Sequence, residues 1–168
     1  MSLVIKIIGA ILIICASFYV GCSLSKKLFK RRDFFKNFIT FLSSLETRIR
    51  YDSYDIFTLV SVCSDGDNLS CFKFNEQASS VPFSTEWNKK VEQIPKSVSL
   101  TKSDKQFLCD FGSELGKTDV EGQLKHIALY KAIFSKQLTN AEDAIIQKSK
   151  LYKTMGFFVG TAAALMMI

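Results

Sequence analysis

Two prolines and eight glycines are all that punctuate the 168 residues. That scarcity disfavours a fold of many short strands and favours long helices. Histidine is nearly absent. His126 stands alone beside Ile127, and a solitary helical histidine more often packs or hydrogen-bonds than catalyses. The acidic residues are scattered, with no pair placed for acid–base work. Neither a phosphate-binding loop nor GxGxxG, HExxH or GxSxG occurs. The chain therefore does not read as an enzyme: no catalytic residue, metal ligand or cofactor is expected. The five cysteines, Cys15, Cys22, Cys63, Cys71 and Cys109, form no CxxC and no metal-ligand spacing. Their scatter fits small apolar side chains in a reducing compartment better than a disulfide framework. Residues 64–68 read as a turn whose acids lack the remaining ligands of a calcium loop, so calcium is not expected either.

What is present is apolarity at both ends. Residues 3–24 are apolar except for Lys6, Ser17, Tyr19 and Ser23. A run of this length suits one helical crossing of a bilayer, and Lys6 lies where its stem can snorkel to the interface. A cleaved signal peptide fits less well, because the charges follow the run and no Ala-x-Ala site closes it. Residues 155–168 carry no charged side chain. At about 1.5 Å per residue they reach about 21 Å, short of the roughly 30 Å hydrocarbon core. A short crossing is favoured; an interfacial anchor and a helix buried in protein stay open. Gly156 and Gly160 form GxxxG, a spacing that permits close helix packing in a membrane.

The net charge is +6, and its placement is informative. Lys26, Lys27, Lys30, Arg31, Arg32 and Lys36 follow the first apolar run, while Lys148, Lys150 and Lys153 precede the last. Cations flanking membrane segments mark the cytoplasmic side, and they can touch anionic lipid headgroups. The membrane boundary thus accounts for the excess, no recognition module is present, and nucleic acid is not an expected partner. The division this predicts is an N-terminal transmembrane helix over 1–25, a cytoplasmic α-helical domain over 26–153, and a short membrane segment over 154–168.

Between the anchors the hydrophobic spacing is helical. Leu28, Phe35, Phe38, Leu42, Leu45 and Ile49 form one stripe that continues straight from the first segment. A short helix carrying Ile56 to Cys63 follows, with Asp52 or Ser53 as its cap. Two more short helices are expected, one holding Leu69, Phe72 and Phe74, the other starting near Ser84 and holding Trp87, Val91 and Ile94. Thr101 and Asp104 have a capping-box-like spacing. The helix they open carries Phe107, Leu108, Phe111 and Leu115, and Gly116 closes it. Thr118 and Glu121 form a second box. From there Leu124, Ile127, Phe134, Leu138, Ala141, Ile145 and Tyr152 keep one helical period to the terminal segment. The predicted fold is all-α, a bundle of about six helices between the two membrane segments.

The carboxyl half reads Leu100-x3-Asp104-x3-Leu108-x2-Phe111-Gly112-x2-Leu115-Gly116-x2-Asp119, then Gln123-x2-His126. The chain ends Lys150-Leu151-Tyr152-Lys153-x2-Gly156-x3-Gly160. With Ser44-Leu45-Glu46 and Tyr51 after the first membrane segment, these motifs resemble the stage III sporulation protein AB family. The resemblance implies a non-enzymatic platform or scaffold subunit, similar in architecture to the inner-membrane platform protein of type II secretion and type IV pilus machines. It implies a place in a channel-like complex linking mother cell and forespore during endospore formation, in the mother-cell membrane facing the forespore. The implied partners are other stage III sporulation membrane proteins and a cytoplasmic ATPase of the same operon. A membrane-tethered adaptor or regulatory protein acting without a transport machine is the alternative. The motif residues Phe111, Gly112, Leu115, Gly116, Asp119, Gln123 and His126 read structurally as helix end, C-cap and next N-cap. Functionally they read as a docking corner.

Overall fold

The computed structural model describes the backbone of residues 2–52, 54–64, 69–74 and 81–167. Many side chains of the two apolar ends, those of residues 2–8 and 163–167 among them, lie outside the described residues. All regular structure among the described residues is helical. In chain order the α-helices are α1 (Ser2–Tyr51), α2 (Ile56–Cys63), α3 (Phe83–Glu92), α4 (Lys102–Glu114) and α5 (Val120–Met167). Single 3-10 turns stand at Ser70–Phe72 and Lys96–Val98. No helix among the described residues is long and apolar enough to cross a membrane.

The all-α expectation holds, and both long helices run unbroken from the apolar ends as the spacing predicts. Three local expectations are corrected. The segment with Leu69, Phe72 and Phe74 is one 3-10 turn and not a helix: Lys73 is already extended, and the Phe74 N–H donates to Ser61 Oγ at 2.9 Å. The cap of α2 is Asp55, whose carboxylate accepts from the Phe57 N–H at 3.1 Å. Asp52 pairs instead with Arg48 at 3.2 Å, and Ser53 lies outside the described residues. At the start of α5 the cap is Asp119, which accepts from the Gly122 N–H at 3.1 Å. The predicted Thr118–Glu121 box does not form there, because Thr118 Oγ1 accepts from Gln123 and Glu121 pairs with Lys125 at 2.7 Å.

The chain divides into two compact units. The first, Met1–Lys30 with Asn140–Ile168, consists of the start of α1 and the end of α5. Among its described residues the buried positions are small: Gly21, Ser25 and Ala141. Several of its described large apolar side chains face outward, Leu12 at 64%, Tyr19 at 73%, Ile146 at 76% and Phe158 at 65% exposure, while Leu28, Phe29 and Ile145 are half-buried.

The second unit, Arg31–Thr139, holds an aromatic core. Phe38 of α1 is fully buried, its ring centre 4.7 Å from Phe134, 5.3 Å from Phe41 and 5.9 Å from Phe111. Such pairs add about 0.5–1.5 kcal/mol each beyond the area they bury. The sequence spacing finds Phe35, Phe38, Leu42 and Leu45, but Phe34 and Phe41 are buried as well. The buried face of α1 is wider than one stripe because it packs on α5 through Phe134 and on α3 through Trp87. Glu46 pairs with Lys131 at 3.0 Å. Phe35 against Phe134 and Glu46 against Lys131 make α1 and α5 antiparallel here.

Candidate functional site

The corner where α4 hands over to α5 gathers every residue of the predicted docking set. The capping box opens α4 as expected: Asp104 N–H donates to Thr101 Oγ1 at 3.1 Å, and Thr101 N–H donates to Asp104 Oδ2 at 2.8 Å. Asp104 does a second task. Its carboxylate, 1% exposed, receives the Arg31 fork, Nε to Oδ2 at 2.9 Å and Nη2 to Oδ1 at 3.0 Å. A bidentate pair of this kind is among the strong hydrogen-bonded contacts. It fastens the start of α4 to α1.

At the other end of α4, Gly116 takes φ +85, a backbone state open to glycine and costly to other residues. Its N–H donates to Gln123 Oε1 at 3.0 Å. Gln123, 5% exposed, donates from Nε2 to Thr118 Oγ1 at 2.9 Å. His126 Nε2–H donates to the Phe111 carbonyl at 2.9 Å, one of the last four carbonyls of α4 that no intrahelical donor can reach. The imidazole also stacks on the Phe111 ring, centres 5.4 Å apart. Phe111, Gly112, Leu115 and Gln123 are buried, His126 is partly covered, and Gly116 and Asp119 are exposed. The seven residues therefore brace the corner from within and leave two of their number on the surface.

Behind the corner stands Trp87. Its Nε1–H donates to the Leu108 carbonyl at 2.7 Å, and Phe72, Phe83 and Phe111 surround it. The Tyr130 hydroxyl, near the corner, is pushed above its ordinary pKa by burial and by the Asp110 and Glu114 carboxylates. The thiols of Cys63, Cys71 and Cys109 are likewise raised, chiefly by burial. Among the described residues no cluster of His, Cys, Asp or Glu is arranged to hold a metal.

Of the boundary cations, Lys26, Lys27, Lys30 and Lys150 are exposed. Arg31 is drawn inward onto Asp104, and Arg32 pairs with Asp33. The Lys153 side chain and the surroundings of Gly156 and Gly160 lie outside the described residues. One residue of the corner, Gly122, escapes the motif reading. Gly112 meets Trp87, and Gly122 meets Thr118 and Asp119, so closely that an added Cβ would collide in each case.

The corner residues coincide with the positions that the resemblance singles out. The family described as stage III sporulation protein AB matches residues 6–168. The chain belongs to the stage III sporulation protein AB family. Stage III sporulation protein AB of Bacillus subtilis (strain 168) is similar to it at 26% identity, over 98% of this chain and 99% of that protein. No solved structure matches. Membership of the stage III sporulation protein AB family implies a role in sporulation and is not membership of a known enzyme family.

Proposed function

We propose that this protein is a non-enzymatic membrane platform subunit of a transport complex between mother cell and forespore. It sits in the mother-cell membrane, with the Arg31–Thr139 unit in the cytoplasm. A cytoplasmic ATPase of the same operon and other stage III sporulation membrane proteins are its partners.

The observation that carries the membrane part is the packing of the first unit. A helix pair in water buries its large apolar side chains and exposes polar ones. Among the described residues of the two proposed membrane segments, Gly21 and Ser25 are inside, and Leu12, Tyr19, Val20, Phe158 and Val159 are outside. Small residues at the contact and large apolar residues facing out suit a helix pair in lipid. The exposed Lys26, Lys27, Lys30, Lys148 and Lys150 near those segments suit the cytoplasmic boundary. In this reading α1 and α5 each run from a bilayer-embedded end into the cytoplasmic unit.

The test is co-purification of the full-length protein from crosslinked sporulating cells. Recovery of the operon's ATPase and its membrane proteins supports a platform. Recovery of none of them, with the protein itself well enriched, contradicts it and favours an adaptor acting alone.

A further inference from the structure

We infer that the recess bounded by Ile94, Pro95, Lys96, Leu100, Lys102 and Lys105 binds an organic phosphate. The recess has a volume of about 310 Å³. Three lysines line it, and none of them has an ion-pair partner among the described residues. Two of them break a local rule. Lys102 is the first residue of α4 and Lys105 lies one turn on, at the helix end where the backbone dipole already presents positive charge and disfavours cations. The first-turn acid, Asp104, offers them no relief, because both its oxygens are engaged by Arg31 and by Thr101 N–H. Lys96 joins from the neighbouring 3-10 turn, and Ser99, at φ 58, turns the chain between Lys96 and Lys102. Glu92 and Asp110 are the other carboxylates nearby, acting with Lys105 on Cys109, and neither reaches ion-pair distance of the three lysines.

Gathering like charges without a counter-charge is unfavourable, and an anion in the recess reverses the sign of the interaction. A local conflict of this kind marks functional sites. Three lysines lining one recess, Lys96 and Lys102 exposed and Lys105 half-buried, suit a multiply charged tetrahedral oxyanion better than a single carboxylate. The remaining wall is apolar, with Ile94 4% exposed and Pro95 and Leu100 beside it. The volume lies at the lower end of the range of ligand pockets, roughly 300–1,000 Å³, and exceeds what bare phosphate fills. The ligand is therefore a phosphate ester with a short carbon skeleton, either a soluble metabolite or the headgroup of a phospholipid.

The test uses the full-length protein in phosphatidylcholine nanodiscs, titrated calorimetrically with glycerol 3-phosphate and with succinate. Saturable binding of glycerol 3-phosphate is expected. The variant Lys96→Gln/Lys102→Gln/Lys105→Gln weakens it by about tenfold or more, while Lys89→Gln/Lys125→Gln/Lys136→Gln, removing the same charge at other exposed positions, leaves it within about twofold. Surface lysine substitutions of this kind leave the fold intact. Repeating the titration with phosphatidylglycerol in the discs separates the sources. Competition by the lipid supports the site and assigns the headgroup; unchanged binding supports the site and assigns a soluble ester. Absence of saturable binding, equal loss in both triple variants, or tighter binding of succinate overturns the inference.

Discussion

Gly112 lies against the indole of Trp87 so closely that a Cβ at position 112 would fall among the ring atoms Cδ1, Cγ and Nε1. The same indole donates Nε1–H to the carbonyl of Leu108, one turn earlier on α4. Contact and hydrogen bond together set the distance between α3 and α4. Gly112→Ala should therefore destabilise the protein by about 1–3 kcal/mol, the usual cost of overpacking a filled core. Thermal unfolding followed by tryptophan fluorescence checks this, since the single tryptophan is the residue displaced.

Arg31→Met should cost about 3–5 kcal/mol, because it leaves the buried Asp104 carboxylate without its counter-charge. Arg31→Met/Asp104→Asn should recover most of that loss. The asparagine oxygen still accepts from Thr101 N–H, and no buried charge remains. Chemical denaturation of the two variants beside the parent gives the comparison. Equal destabilisation of both would mean that the contact of the Arg31 guanidinium with the Phe35 ring, 5.3 Å from its centre, matters more than the pairing with Asp104.

At the corner, Gly116→Ala should cost about 1–2 kcal/mol from the left-handed backbone alone. The added methyl has room, with the nearest side-chain atom, on Ile56, 3.6 Å away. Gln123→Ala should cost a similar amount, about 1–3 kcal/mol, by leaving its partners unpaired. Because both residues serve the Gly116 N–H, the double variant should cost less than the sum. A double-mutant cycle in thermal stability reads this directly.

The raised thiols and the raised Tyr130 hydroxyl fix the sign of an alkaline effect. Each group is held neutral more firmly in the folded chain than in the unfolded one, so each contributes stability that is complete below its unfolded value. That contribution is lost as pH rises through the folded values. Stability should start to fall near the ordinary thiol value of 9.0 and continue beyond the ordinary phenol value of 10.0. Unfolding midpoints measured from pH 8 to pH 11 should show the decline, and Cys71→Ala should reduce its slope.

Helical periodicity made the long elements legible. The stripe through Phe35, Phe38, Leu42 and Leu45 and the one through Ile127, Phe134 and Ala141 are buried as the spacing requires. The Thr101–Asp104 box and the Gly116 C-cap were readable because each rests on side-chain chemistry local to a few residues. What was not readable depends on distant pairs. Phe34 and Phe41 lie off the single stripe and are buried because α3 and α5 approach α1 from different sides. Arg31 resembles its neighbours Lys30 and Arg32 in sequence, and only Asp104, 73 residues away, distinguishes it. The Asp119 cap displaced the expected Thr118–Glu121 box because Gln123 claims the threonine hydroxyl. The seven residues of the docking set do gather at one corner, and the structure turns most of those side chains inward.

The central claim is that the aromatic-cored unit lies in the cytoplasm between two membrane-embedded ends. Cysteine accessibility in intact sporulating cells, in a variant with the five native cysteines replaced, tests it most directly. The account predicts that Lys117→Cys, at an exposed position of the α4–α5 corner, reacts with a membrane-impermeant maleimide only after permeabilisation, whereas a cysteine at Ser2 or appended after Ile168 reacts without it. Ready labelling at position 117 in intact cells, or protection of both ends, would contradict it.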